Sequence, residues 1–316
     1  MSVKTVNRWA YNHLLIGNIE RLARGLRHTP QLNPKRHGVV IKRDLAYGDL
    51  PQQRLDIYER SGRRRPSPVV LYIHGGGFRF FDKGTHWAMG TRFAREGYLV
   101  FNIDYRLAPT HQFPAAVEDV ATALRWIVRH APAMGGDLSQ LILAGESAGA
   151  NLATGLAISS AWRRPEPWAQ MVWELNVQPK VLAPACGYLE VSNPGRHAQL
   201  HGLPGWIDTR IQAVSDLYLP THASPEPEHD YANPLLFLER GIPPKRRFPA
   251  TFAIGGGNDP VRTDTVRLGQ ALEALGVPHQ VEMYAGGGHA FHAFIFRELA
   301  KRAWTDKLAF IERHLG

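Results

Sequence analysis

Short runs of consecutive apolar residues, each bounded by Gly, Pro, Asn or Asp, alternate with longer stretches whose apolar positions recur every three to four residues. The short runs predict strands at Val39–Ala46, Arg54–Glu59, Pro68–His74, Tyr98–Asp104, Gln140–Gly145, Val177–Ala183, Thr251–Gly255 and His279–Tyr284. The longer stretches predict helices between them. Phe113 to His130 places Pro114 at a helix start and steps Val117, Ala121, Leu124 and Ile127 along one face. Ser147–Ala161 and Thr265–Leu275 read in the same amphipathic way, and Phe294–His314 closes the chain as a helix. Strand and helix in alternation is the pattern of an α/β domain: a mostly parallel sheet of about eight strands covered by helices.

Two stretches break the alternation, residues 1–38 and residues 187–232. The second is rich in Pro, Gly and His and carries Trp206 and Tyr218. Loops of that length without structure of their own are uncommon, so both are expected to form a helical cap over the sheet's carboxyl edge. The α/β domain would then comprise residues 39–186 and 233–316.

Composition changes this picture little. In 316 residues, 44% are hydrophobic and 21% charged, in the range of folded soluble chains rather than disordered or membrane ones. Lys4 and Arg8 precede an apolar stretch, Leu14 to Ile16, that Asn18, Glu20 and Arg21 interrupt, which reads against a signal peptide and for a cytoplasmic location. The single cysteine, Cys186, permits no intrachain disulfide and sits among small apolar residues as a buried side chain would. The net charge of +9 prompts the question of an anionic partner. Basic residues cluster only at Arg63–Arg65 and Lys245–Arg247, beside prolines, and no helix-turn-helix, zinc-knuckle or aromatic-interleaved signature accompanies them. They read as exposed loop charge, so neither a nucleic-acid partner nor integral membrane association is expected. Nothing in the sequence bars a homodimer.

The chemistry is concentrated in three glycine-flanked segments. Gly145-Glu146-Ser147-Ala148-Gly149 follows the run "LILA" and opens a helical stretch. A serine on a sharp strand-to-helix turn exposes its hydroxyl, and the flanking glycines remove side chains that would strike neighbouring backbone. His74-Gly75-Gly76-Gly77 follows the run "VVLYI". Bare glycine backbone lets main-chain N–H groups approach a developing oxyanion, which makes Gly76 and Gly77 the expected donors, with Ala148 N–H as a third. A phosphate cradle would need a Lys-Ser/Thr ending or G-x-G-x-x-G spacing, and both are missing.

Downstream come Asp259 in "GGGNDPVR" and His289 in "GGGHAF", each in a glycine loop after an expected strand. A serine hydroxyl needs a histidine to take its proton and a carboxylate to orient that histidine. His289 is preferred to His292, His279 and His197, which fall on helices, strands or the cap. Asp259 is preferred to Glu282, inside the last strand, and to Asp264, whose carboxylate is accounted for as a charge in a helix's first turn.

Taken together, "HGGGF", "DYRLAPTHQFPAAVEDV", "GESAGANLA", "YANPLL", "GGGNDPVR" and "GGGHAF" resemble the hormone-sensitive-lipase-like esterases and lipases of the α/β-hydrolase superfamily, over about residues 53–300. The resemblance implies a capped α/β-hydrolase that needs no cofactor or metal and hydrolyses short- to medium-chain acyl esters, small molecules, through an acyl-enzyme. It also implies that His74 steadies the oxyanion loop and that Asp104, Tyr105 and Arg106 are architectural. The chain departs from the family pattern in reading His289-Ala290-Phe291 where Gly usually follows the histidine, and in placing Asp264 one position late after Thr263. "RLDIY" ahead of "HGGGF" also resembles formamidases, so amide hydrolysis stays open beside ester hydrolysis, and a non-catalytic receptor on the same scaffold is the more distant alternative.

Overall fold

A computed structural model of the chain describes residues 17–18, 20–29, 32–63, 66–220 and 229–315. Lys4, Arg8, Leu14 to Ile16, Arg64, Arg65 and positions 221–228 of the expected cap lie outside the described residues.

Eight strands form one sheet: β1 Val39–Ala46, β2 Arg54–Arg60, β3 Ser67–Ile73, β4 Leu99–Ile103, β5 Gly136–Glu146, β6 Val181–Ala185, β7 Ala250–Gly256 and β8 His279–Tyr284. Their spatial order is β1-β2-β4-β3-β5-β6-β7-β8. The β1–β2 and β2–β4 pairs are antiparallel and all pairs from β4 through β8 are parallel. From β3 onward the α-helices are α1 Trp87–Arg95, α2 Ala115–His130, α3 Ala148–Ala161, α4 Pro167–Glu174, α5 Arg196–His201, α6 Gly205–Tyr218, α7 Pro234–Glu239, α8 Arg262–Ala274 and α9 Glu298–Leu315. Among the described residues no helix is long and apolar enough to cross a membrane.

The apolar runs are continuous because both sheet faces are covered. Along β3, Val69, Leu71 and Ile73 join one buried cluster with Val117, Leu124 and Leu152 from α2 and α3. The intervening Val70 and Tyr72 join another with Phe93 of α1 and Trp304 and Phe310 of α9. A helix–sheet–helix sandwich follows from that alternation.

Several expected boundaries shift. β6 begins at Val181 rather than Val177, since Pro179 has no N–H to give a ladder. α9 begins at Glu298 rather than Phe294, because a turn closed by Arg297 N–H on the Phe294 carbonyl at 2.8 Å comes first. α3 is not amphipathic: all of its residues are buried. Its hydroxyls are satisfied within the helix, Thr154 donating to the Ala150 carbonyl at 2.8 Å and Ser159 to that of Gly155 at 3.0 Å. Two charges expected in solvent are pinned instead. The Arg63 side chain is 1% exposed and pairs with Glu59, and Arg246 stacks 3.5 Å over Trp173 and donates to its carbonyl.

The segment between β6 and α7 lies across the loop after β3. Tyr218 of α6 stacks on Phe78 with ring centroids 3.7 Å apart, and Phe113 N–H donates to the Tyr218 carbonyl at 2.9 Å. From the N-terminal side, Trp87 Nε1 donates to the Ala23 carbonyl at 2.8 Å and Arg24 pairs with Asp82.

Candidate active site

The carboxyl ends of β3, β5, β7 and β8 carry the glycine-rich segments singled out above, so parallel pairing brings residues far apart in sequence to one edge of the sheet. Ser147 stands between β5 and α3 with φ 52° and ψ −117°, a conformation non-glycine residues rarely hold. Ser147 N–H donating to the Ala185 carbonyl at 2.9 Å fastens the turn to β6. The neighbours of the serine have no room for a side chain. A Cβ on Gly145 would lie 2.4 Å from the Gly149 carbonyl oxygen, and one on Gly149 would lie 2.1 Å from that of Ile73.

Asp259 is fully buried in the loop after β7, and His289 follows β8. The two loops are tied together, since Asn258 N–H donates to the Gly287 carbonyl and Gly257 N–H to that of Tyr284, each at 2.8 Å. His289 Nδ1 lies 3.0 Å from both Asp259 carboxylate oxygens, and His289 Nε2 lies 2.9 Å from Ser147 Oγ. The imidazole is 37% exposed, so a reactant can reach it from solvent.

Electrostatics follow the geometry. Burial pushes the Asp259 carboxyl up, but His289 and the Val261 N–H at 3.0 Å outweigh it and hold the group below the ordinary carboxylate value. Burial pulls the His289 imidazole down, and the Asp259 charge more than offsets it, leaving the ring above the ordinary histidine value. Cys186 is buried as expected, with its thiol pushed well up by burial and by the neighbouring Asp259.

Gly76 and Gly77 have φ of 118° and 59°, and a Cβ on Gly76 would lie 2.0 Å from the Phe80 carbonyl oxygen. Among the described residues, the N–H groups of Gly76 and Gly77 donate to no backbone carbonyl. Ala148 opens α3, where no carbonyl of the helix reaches its N–H. Val214 of α6 packs directly on this loop, its Cγ2 lying 2.9 Å from where a Gly77 Cβ would stand. His74 is buried, stacks on Tyr105 with centroids 4.3 Å apart, and is pulled by burial to about 3, so it is neutral. Tyr105 in turn donates its hydroxyl to the His74 carbonyl at 3.0 Å.

Asp264 lies in the first turn of α8, as expected, and its carboxylate is fully buried there. Both oxygens lie 2.7 Å from Arg196 Nη2, and Oδ2 accepts the N–H groups of Leu189 at 2.8 Å and Glu190 at 3.2 Å. Asp264 therefore ties the segment after β6, including α5, to α8. Glu282 stays within β8 and hydrogen-bonds Gln280. The contacts of Glu146 with His86 and His292 went unread in the sequence, since nothing local relates three residues spread from 86 to 292.

A family model described as alpha/beta hydrolase fold matches residues 70–293. The chain is similar to esterase LipI of Mycobacterium tuberculosis, 34% identical over 217 residues that make up 68% of this chain and 62% of that one. It is also similar to carboxylesterase NlhH of the same species, 36% identical over 161 residues, 51% of this chain and 49% of the relative. The matches thus span less than two thirds of these relatives' own lengths. Among solved structures, a bacterial heroin esterase superposes with a TM-score of 0.75 at 24% identity, covering 97% of this chain and 90% of that one, a likeness of fold alone. An esterase of Pyrobaculum calidifontis superposes with a TM-score of 0.70 at 25% identity, covering 99% and 93%.

Proposed function

The chain belongs to the α/β-hydrolase family, in its hormone-sensitive-lipase-like branch of esterases, and from that premise we propose that it is a serine carboxylesterase acting on small acyl esters. The observation that carries this reading is the unbroken contact from Asp259 through His289 to Ser147.

In the proposed reaction His289 Nε2 accepts the Ser147 proton as Oγ bonds to the ester carbonyl carbon. Asp259 keeps the other ring nitrogen protonated and stabilises the imidazolium that results. The negative charge on the former carbonyl oxygen is received by the N–H groups of Gly76, Gly77 and Ala148; among the described residues those of Gly76 and Gly77 donate to no backbone carbonyl, which supports this role. When the tetrahedral adduct collapses, the carbon–oxygen bond to the alcohol breaks and His289 returns its proton to the departing oxygen. Water activated by His289 then attacks the acyl-enzyme, releases the acid and restores Ser147.

Residues 187–232, with α5 and α6, are proposed as a cap on the domain formed by residues 39–186 and 233–316, with residues 1–38 contributing from the N-terminal side. Val214 against Gly77 and Tyr218 against Phe78 narrow the space beside the oxyanion loop, which supports a preference for short- to medium-chain acyl groups. Ser147→Ala tests the reading: the folded variant is expected to lose nearly all hydrolysis of p-nitrophenyl butyrate, and retention of a substantial fraction of the rate would remove Ser147 from the mechanism.

A further inference from the structure

The residue before the proposed nucleophile carries a buried carboxylate that the reaction above leaves unused. Glu146 ends β5 and is 5% exposed. Its Oε1 lies 2.9 Å from His86 Nε2, its Oε2 lies 3.2 Å from His292 Nε2, and the Tyr72 hydroxyl donates to Oε2 at 3.5 Å. Burying a carboxylate is costly unless donors replace water, and these groups do so.

The placement of the partners gives the arrangement its meaning. His292 is buried and stands three residues after His289, on the 3-10 turn Phe291–Ala293. The turn is held further where Trp304 Nε1 donates to the His292 carbonyl at 3.1 Å. His86 stands at the residue before α1, its Nδ1 lying 2.9 Å from Thr85 Oγ1. The Glu146 side chain also lies against the oxyanion loop, for a Cβ on Gly75 would stand 3.0 Å from Glu146 Cγ and 3.1 Å from Oε1. One carboxylate therefore touches the turn that bears the base and the loop that bears the oxyanion donors, and is itself bonded along the chain to Ser147.

Its ionisation suits that placement. Burial pushes the Glu146 carboxyl up, but His86 and His292 outweigh burial and hold it well below the ordinary value. Burial pulls both histidines down; Glu146 overcomes this at His86, which ends above the ordinary value, while His292 stays below it. The other titratable groups around the carboxylate are Tyr72 of β3, His74, Tyr105, Cys186, His289 and Lys307 of α9, whose ammonium burial pulls to about 8.

We propose that Glu146 is a positioning residue: its carboxylate locks the His289 turn through His292 and the oxyanion loop through His86 and Gly75, so that base, nucleophile and oxyanion donors are held in one register. The proposal rests on the reading of Ser147 and His289 as nucleophile and base. Preorganisation of this kind matters because a displacement of about 1 Å at a reacting group can cost on the order of a hundredfold in rate.

The test uses the full chain carrying Glu146→Gln or His292→Gln, with turnover of p-nitrophenyl butyrate expressed per active site titrated by an organophosphate, and Ser147→Ala, with turnover expressed per mole of folded protein. For Glu146→Gln, kcat per titrated site is expected to fall about tenfold to a hundredfold while KM moves less than about threefold. The acidic limb of kcat/KM should also move to lower pH, since the Glu146 charge helps to raise the His289 imidazole. His292→Gln keeps that charge and should lower kcat while leaving the limb in place. Turnover per titrated site within about twofold of the parent in both variants, whatever their thermal midpoints, would make Glu146 a structural anchor and overturn the proposal. Where Glu146→Gln yields no titratable protein, His292→Gln decides by the same comparison of kcat. Activity surviving in Ser147→Ala would instead overturn the underlying esterase reading, so the two failures are told apart.

Discussion

At the scale of single residues, two aspartates five positions apart are assigned opposite duties by their surroundings. Asp259 faces His289 Nδ1 at 3.0 Å and Asp264 faces Arg196 at 2.7 Å. Asp259→Asn should preserve the fold but present an amide that favours the wrong imidazole tautomer, with an expected loss on the order of ten-thousandfold in kcat measured at saturating ester. Asp264→Asn should act on stability instead, because Arg196 would lose its ionic partner at 2.7 Å and keep only Glu190, whose Oε2 lies 3.4 Å from its Nε. A loss of up to about 3–5 kcal/mol in denaturant unfolding is expected. Equal stability in the two variants would contradict the division. The pH profile of the parent protein belongs to the same scale. In the proposed mechanism turnover needs neutral His289, whose imidazole is held above the ordinary histidine value, so activity should fall as pH drops through a limb above about 6.5. A limb clearly below that value would mean that the Asp259 charge does not act on the ring.

At the scale of elements, the strands and the turn bearing the proposed nucleophile were readable because the physics that forms them is local. A run such as Val69–Ile73 is apolar at every position because both sheet faces are covered, and Gly145 and Gly149 are required by carbonyl oxygens within 2.4 Å of any Cβ. The role of α6 was not readable. Its contact with the oxyanion loop depends on Val214 meeting Gly77 across more than a hundred residues of chain, and no local periodicity encodes such a meeting. That contact predicts that Val214→Ala opens space beside the oxyanion loop and moves the preferred p-nitrophenyl ester to a longer acyl chain, read from kcat/KM across the series from acetate to palmitate. An unchanged profile would place the acyl group elsewhere.

At the scale of the whole molecule, a parallel sheet collects the carboxyl ends of β3, β5, β7 and β8 on one edge, so the order serine, acid, histidine along the chain becomes a single cluster in space. That much of the site was legible, because motif order and topology constrain each other. The contacts that brace it were not: Arg196 with Asp264, and Glu146 with His86 and His292, join residues whose proximity exists only once the sheet, the segment after β6 and the C-terminal turn have assembled. The central claim, that this cluster makes Ser147 a nucleophile, is tested most directly by treating the protein with a p-nitrophenyl dialkyl phosphate and locating the adduct by peptide mass mapping. One phosphoryl group per chain on Ser147, formed in step with loss of esterase activity, is the predicted result. Phosphorylation at another residue, or activity that persists after Ser147 is fully modified, would contradict it.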